Sequence, residues 1–207
     1  MVANGKTFAL LGEIMMEMAG LPTTALTEEQ YLELERLAET KSEFHDGQMF
    51  AMAGGTLNHS LLSTTICSLL REQAPKGCRT LNSDMRIKIE QSGLYTYPDG
   101  SVIWGEPKFL GNRRDVILNP MLIVEVLSPS TEDYDRGKKF ESYRTIASFQ
   151  EYLVVHQDRR HVEHYSKQDD GSWVLREYLG AEGPVLVGRL GVRIELAELY
   201  ESALDVG

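Results

Sequence analysis

Glu125 stands in the middle of an otherwise unbroken apolar run, Met121-Leu122-Ile123-Val124-Glu125-Val126-Leu127. A short run this rich in Val and Ile predicts a strand that is largely buried. A carboxylate inside such a strand is costly unless it is paired, hydrogen-bonded or bound to a metal. Glu125 therefore needs a reason, and the best one on offer is a divalent cation shared with a second acid. A second acid offers itself upstream: Asp99, in Tyr97-Pro98-Asp99-Gly100, precedes the apolar run Ser101-Val102-Ile103-Trp104. Two carboxylates on neighbouring strands can share a divalent cation such as Mg²⁺, which takes oxygen ligands and keeps several waters.

The rest of the chain reads as a single α/β domain. Its 207 residues suffice for one full core. Thr27-Glu28-Glu29-Gln30 is a capping box, and Tyr31, Leu34 and Leu37 follow at helical spacing, predicting a first helix to near Thr40. Asp46-Gly47 between Ser42–His45 and Gln48–Met52 is a hairpin signal. Thr56 or Asn58 can cap a second helix with Leu61, Leu62, Ile66, Leu69 and Leu70 on its apolar face, stopped by Pro75 and Gly77. A second hairpin turns at Ser92-Gly93, between alternating Met85, Ile87, Ile89 and the segment Leu94–Tyr97. Gly105–Asn119 is polar and predicts a loop. After the Glu125 strand, Pro129 ends it and Ser130 or Thr131 can cap a helix carrying Phe140, Tyr143 and Ile146. Glu151–Val155, Arg160–Ser166 and Trp173–Tyr178 predict an antiparallel meander, and Ile194–Ala203 a short peripheral helix. A mixed sheet flanked by helices is the expected architecture.

A net charge of -10 argues against broad electrostatic capture of nucleic acid, although a local basic groove remains compatible with it. Cys67 and Cys78 are too few for a disulfide framework and have no metal-ligand spacing. Phe8-Ala9-Leu10-Leu11-Gly12 is interrupted by Glu13 and Glu17 before it reaches the length of a signal core or a membrane span. A cytoplasmic location with reduced thiols is the expectation. Residues 1–25 read as an extension, loosely attached or disordered, ahead of a domain at 26–207. Met15, Met16 and Met18 offer alternative translation starts.

Each acid and base also has a plainer reading. Pro98-Asp99-Gly100 alone is a turn signature. Glu125 could meet an arginine or escape at a sheet edge, and Lys138 and Lys139 could be a solvated helix face. Asp135 and Lys139 share a helix face, so a simple ion pair is the bland account of Lys139. Glu43 could supply a further metal-facing acid from the first hairpin or be a surface strand acid. His59, near a helix start, could contact a phosphate or act as a base, and more often such a histidine caps or packs. Tyr97, Trp104 and Tyr143 could stack on bases, but such aromatics are usually core.

Three segments together resemble a known family. Tyr97-Pro98-Asp99, then Ile123-Val124-Glu125-Val126-Leu127-Ser128-Pro129-Ser130-Thr131, then Asp135-Arg136-Gly137-Lys138-Lys139-Phe140 with Tyr143, are similar to the Uma2 family, abundant in cyanobacteria and part of the PD-(D/E)XK nuclease-like superfamily. The resemblance runs from about Leu26 to Leu199. It takes in Glu43-Phe44-His45-Asp46-Gly47, Asn58-His59 and Glu151-Tyr152-Leu153-Val154-Val155. It implies a restriction-endonuclease-like core with antiparallel hairpins, and an endonuclease hydrolysing phosphodiester bonds with Mg²⁺, Mn²⁺ able to substitute. Asp99 falls in the Pro-Asp position and Glu125 in the (D/E) position. The superfamily's lysine would fall where this chain has Leu127; the resemblance points instead to Lys139 on the following helix. It implies a nucleic-acid substrate, DNA first, and allows a homodimer. Two other readings use the same residues: a non-catalytic binding or regulatory module that kept the nuclease fold, and a metal-dependent hydrolase of nucleotides or other phosphoesters.

Overall fold

The computed structural model describes residues 25–128, 131–180 and 183–206. The expected extension at 1–25, its alternative starts, and Pro129 and Ser130 thus lie outside the described residues, apart from Ala25. Helix α1 (Glu28–Leu37) begins on the reciprocal capping box: the Thr27 hydroxyl accepts the Gln30 N–H, and the Thr27 N–H donates to the Gln30 side chain. Its buried face is Tyr31, Leu32 and Glu35 rather than the expected Tyr31, Leu34 and Leu37. Glu35 turns inward because it accepts hydrogen bonds from the Ser42 N–H at 2.9 Å and the Tyr97 hydroxyl at 2.8 Å. Leu37 is left half exposed.

The first hairpin, β1 (Ser42–His45) and β2 (Gln48–Ala51), turns at Asp46 and Gly47, both at positive φ (49° and 77°). A Cβ on Gly47 would stand 2.5 Å from the Ala25 Cβ. Gly47→Ala is expected to cost about 1–3 kcal/mol, read as a lower denaturation midpoint; an unchanged midpoint would contradict the turn. Thr56 caps α2 (Leu57–Gln73) by accepting the His59 N–H at 3.1 Å. Asn58 does not cap it. Its side chain instead pairs with the Leu204 backbone at 2.8 and 2.9 Å, tying the chain's far end to this helix.

Strand β3 (Cys78–Asn82) is followed by the expected hairpin of β4 (Arg86–Ile89) and β5 (Leu94–Thr96), then by β6 (Gly100–Trp104). The polar stretch read as a loop contains two strands, β7 (Phe109–Leu110) and β8 (Arg113–Ile117), and β8 runs parallel to β4. Only Val116 and Ile117 of β8 are buried, too little apolar sequence to register as a periodic pattern.

Strand β9 (Leu122–Leu127) leads into a helical segment of three short parts: α3 (Glu132–Tyr134), a π-helical turn (Asp135–Lys139) and α4 (Phe140–Tyr143). The expected uninterrupted helix through Ile146 is therefore corrected: it ends at Tyr143, and Ile146 is buried in the turn beyond. Thr131 precedes the segment without a side-chain capping bond.

Next, β10 (Glu151–His156), β11 (His161–Lys167) and β12 (Trp173–Leu179) form the expected meander. The lead-in to a final helix is instead a hairpin, β13 (Val185–Val187) with β14 (Val192–Ile194), and α5 covers only Leu196–Leu199. Val185, Val187, Val192 and Ile194 all face inward, so three-residue strands suffice to cover the end of the core.

Two six-stranded sheets result, ordered β2-β1-β5-β4-β8-β7 and β12-β11-β10-β9-β6-β3. The second is mixed, with β9 parallel to β10 and antiparallel to β6. Alternation along β9 then decides where everything sits. Leu122, Val124 and Val126 face Leu62, Ile66 and Leu70 of α2. Ile123 and Leu127 face the opposite way, among Ile87, Ile89 and Leu94 of the first sheet and Phe140 and Tyr143 of the helical segment. Glu125 shares that second face, at the seam between the sheets.

Candidate active site

Glu125 is 4% exposed, and its counter-charge is Lys139, itself 5% exposed. The Lys139 Nζ lies 3.0 Å from Glu125 Oε1, 3.0 Å from Glu43 Oε1 and 3.3 Å from Asp135 Oδ1. Three different elements supply those acids. Phe44 pairs with Tyr95, so Glu43 projects from β1 towards the seam while Phe44 packs beneath α1 with Tyr31 and Tyr95. The π-helical turn brings Asp135 and Lys139 to the same point.

Each acid is oriented by a further contact. Tyr143 donates its hydroxyl to Glu125 Oε1 at 2.7 Å, and Thr96 donates to Glu43 Oε1. Burial pushes the Asp135 carboxyl up, while Lys139 and a side-chain hydrogen bond from Thr131 pull it back.

Asp99 reaches the site through register. Gly100 of β6 lies opposite Val124, so the position before it falls beside Glu125. Asp99 Oδ2 accepts the Val126 N–H at 2.7 Å and faces His59 Nε2 at 3.3 Å. His59 comes from the first turn of α2. That helix approaches closely here because residue 100 is glycine: a Cβ there would stand 2.7 Å from Cys67 Sγ. Burial pushes the Cys67 thiol up to about 11, which keeps it an unreactive packing group.

Burial pushes Glu125 up to about 8; Lys139 opposes this, and the nearby Asp135 and Asp99 charges add to it. Burial works against the Lys139 ammonium, but Glu125, Glu43 and Asp135 outweigh it and hold the group well above its ordinary value. A hydrogen bond to Asp99 raises His59 against the opposing effect of burial. Lys139 is therefore a fixed positive charge, not a base.

The structure thus brings Glu43, Asp99, Glu125, Lys139, Tyr143 and His59 to one place. Asp135, which the sequence offers only as an ion-pair partner of Lys139, and Thr96 complete the cluster. The four-residue spacing from Lys139 and the place of Asp135 at the head of the third resembling segment are the signals for it; nothing in the sequence marks Thr96. Lys138 stays exposed on the outer face. Tyr97 and Tyr143 are buried, so of the three proposed stacking aromatics only Trp104 is open to solvent.

A second cluster lies on the other side of the π-helical turn. His156, His161 and Glu163 place ligand-type atoms within 4.8 Å of one another. The two rings are stacked, with centroids 4.2 Å apart and planes 11° apart, so their nitrogens point side by side rather than at a common point. Arg136 already occupies the space, bonding Glu163 at 2.8 Å and His156 Nε2 at 2.8 Å. It is an arginine-centred brace, not a metal site.

Burial disfavours the Glu163 charge, yet the His156 contact and the hydrogen bonds donated by Arg136 and Tyr165 outweigh it and bring its carboxyl down to about 2. An acid depressed in the folded state contributes stability above its unfolded value, lost as pH falls through the folded one. Glu163→Gln is expected to lower stability at pH 7 by about 2–3 kcal/mol. The gap from wild type should close between about pH 4.5 and pH 2; a gap independent of pH would contradict the depressed carboxyl.

The first cluster does suit a divalent ion. Its donors are carboxylate oxygens, which favour Mg²⁺, Mn²⁺ or Ca²⁺ over softer metals. Four acids, Glu43, Asp99, Glu125 and Asp135, face one ammonium and one imidazole, and a cation would favour the ionised form of the buried carboxyls.

Comparison with known proteins agrees with this architecture. A crystal structure from Anabaena variabilis, described as "a putative nuclease belonging to DUF820", superposes with a TM-score of 0.66, covering 88% of this chain and 100% of that one at 19% identity. At that identity it shows the fold alone. Two Synechocystis proteins, "Uncharacterized protein sll1609" and "Uncharacterized protein slr1290", are 42% and 40% identical over 164 residues. These alignments cover 79% and 78% of this chain and 93% and 84% of the relatives. Residues 28–198 match the family Uma2, described as "Putative restriction endonuclease", and the chain belongs to the Uma2 family.

Proposed function

We propose that this protein is a metal-dependent endonuclease that hydrolyses phosphodiester bonds in DNA, with Asp99 and Glu125 holding Mg²⁺ and Lys139 as the catalytic cation. The observation that carries the reading is the Lys139 Nζ, 3.0 Å from Glu125 although it comes from the helical segment rather than from β9. A divalent ion bound there would polarise the phosphodiester and acidify a bound water.

The chain's own groups do the rest. Lys139 is a fixed positive charge beside the place where negative charge builds up in the transition state, which favours that state over the ground state. Tyr143 fixes which way Glu125 presents its carboxylate. His59, on the first turn of α2 and partly open to solvent, faces Asp99 with Nε2 and would donate to a phosphate oxygen through its other ring nitrogen. Cutting both strands of a duplex calls for two such sites, which a homodimer would supply. Cys67 and Cys78 are both free, in keeping with action in a reducing cytoplasm. No described helix is long and apolar enough to cross a membrane.

The test is incubation with supercoiled plasmid, single-stranded DNA and RNA, in Mg²⁺ or Mn²⁺ and in EDTA. Nicking or linearisation of the plasmid that EDTA abolishes is the expected result. The net charge of -10 favours one rival, a binding module that kept the fold. Failure to cut all three substrates, together with a stoichiometric protein partner, would decide for it.

A further inference from the structure

Two aromatic side chains that the metal chemistry does not use stand against the site. Phe50 is the cross-strand partner of Glu43 in the first hairpin. Directly opposed residues of an antiparallel pair project from the same face, with Cβ atoms about 4.5–5.5 Å apart. The next pair, Phe44 and Met49, faces the other way, into the packing beneath α1. Phe50 therefore shares the face from which Glu43 reaches Lys139 at 3.0 Å. Strand β2 is the outer edge of its sheet, and half of Phe50 is open to solvent. Single exposed apolar residues are ordinary on a protein surface, but this ring lies directly across from an acid of the site. Trp104, also exposed, stands at the opposite end of β6 from Gly100.

Tyr134 is the second aromatic. It closes α3, one residue before Asp135, and its ring centroid lies 5.9 Å from the Lys139 Nζ. The side chain is partly open to solvent. Burial pushes its hydroxyl up to about 12; the Glu43, Asp135 and Glu125 charges add to this and Lys139 opposes it. No described residue makes a hydrogen bond to that hydroxyl. Shielding the ammonium accounts for a ring beside Lys139, not for a phenol left without a protein partner.

With a net charge of -10, the protein attracts a phosphate backbone only weakly. Stacking of a base on an aromatic ring does not depend on that charge. It does require a base with a free face. In a duplex each base is covered by its neighbours, whereas a single strand can splay its bases onto aromatic side chains. We propose that Phe50 and Tyr134 stack on nucleobases beside the scissile phosphate, and that the strand this site takes is unpaired: single-stranded DNA, or a locally opened stretch of a supercoiled duplex. This rests on the reading above that the site cleaves DNA, and adds to it the strandedness of the substrate and two residues that touch it.

The experiment is fluorescence anisotropy of a labelled DNA oligonucleotide, as a single strand and as a duplex of the same sequence. The full chain is titrated in Ca²⁺, which takes oxygen ligands as Mg²⁺ does. Wild type is expected to bind the single strand about tenfold or more tightly than the duplex. Phe50→Ala and Tyr134→Ala should each weaken single-strand binding about 5- to 100-fold and leave duplex binding within about twofold. Phe50→Trp and Tyr134→Phe keep an aromatic face and should bind the single strand as wild type does, a rescue that a purely structural role does not require. Should Tyr134→Ala not fold, Tyr134→Leu, which keeps bulk without the aromatic face, takes its place and should show the same loss. Equal affinity for single strand and duplex, or unchanged single-strand affinity in the non-aromatic variant at either position, overturns the proposal and leaves the nuclease reading standing. Failure of wild type to bind either form of DNA overturns both, so the two failures are told apart.

Discussion

Glu125→Gln is expected to abolish metal-dependent cleavage, by on the order of 10³-fold or more, while the protein folds as well as before or better. The amide keeps the shape of the side chain and can still accept the Tyr143 hydroxyl seen at 2.7 Å. It removes a carboxylate that is 4% exposed and that burial pushes up to about 8, a group whose ionised form the fold holds at a cost. Lys139 keeps two acids, Glu43 and Asp135, as partners. Activity and stability should therefore move apart, the usual signature of a residue retained for chemistry rather than for folding. Single-turnover cleavage beside a thermal melt measures both. Wild-type cleavage by Glu125→Gln would remove Glu125 from the site.

Lys139→Ala is expected to do the reverse to the fold. It leaves three buried carboxylates without their shared cation, and removing one partner of a buried ionic group costs about 3–5 kcal/mol. For a chain of this length that is a melting temperature lower by roughly 10 °C. A thermal melt at neutral pH measures it, and an unchanged melting temperature would contradict the shared ion pairs.

How far these features could be read from the sequence depended on whether the signal was local. The Thr27–Gln30 capping box and the Asp46-Gly47 turn are decided within four residues, and both form as their spacing implies. The need of Glu125 for a partner was legible because one charge interrupts an apolar run. The partners were less so. Glu43 reaches Lys139 only because β1 joins the first sheet beside β5 and that sheet then faces β9, a non-local strand pairing followed by a non-local packing of one sheet on the other. Strand β8 carries no periodic signal, since its outer residues are Arg113, Arg114 and Asp115 and only its last two positions are buried. The π-helical turn has no compositional mark at all, yet it is what carries Asp135 to Lys139 and Arg136 to Glu163 on the opposite side. Residue 137 is a glycine there, with open space where a Cβ would be, so crowding does not explain the widened turn.

The most direct test of the central claim is cleavage of supercoiled plasmid in Mg²⁺ by wild type and by Asp99→Asn, purified in the same way. Asp99 has its backbone-bound oxygen fixed by the Val126 N–H at 2.7 Å, and asparagine can keep that contact while giving up the charge, so the fold is expected to survive. Cutting by wild type that disappears in EDTA and in Asp99→Asn is the expected result. Equal cutting by both proteins would place the chemistry elsewhere and contradict the account.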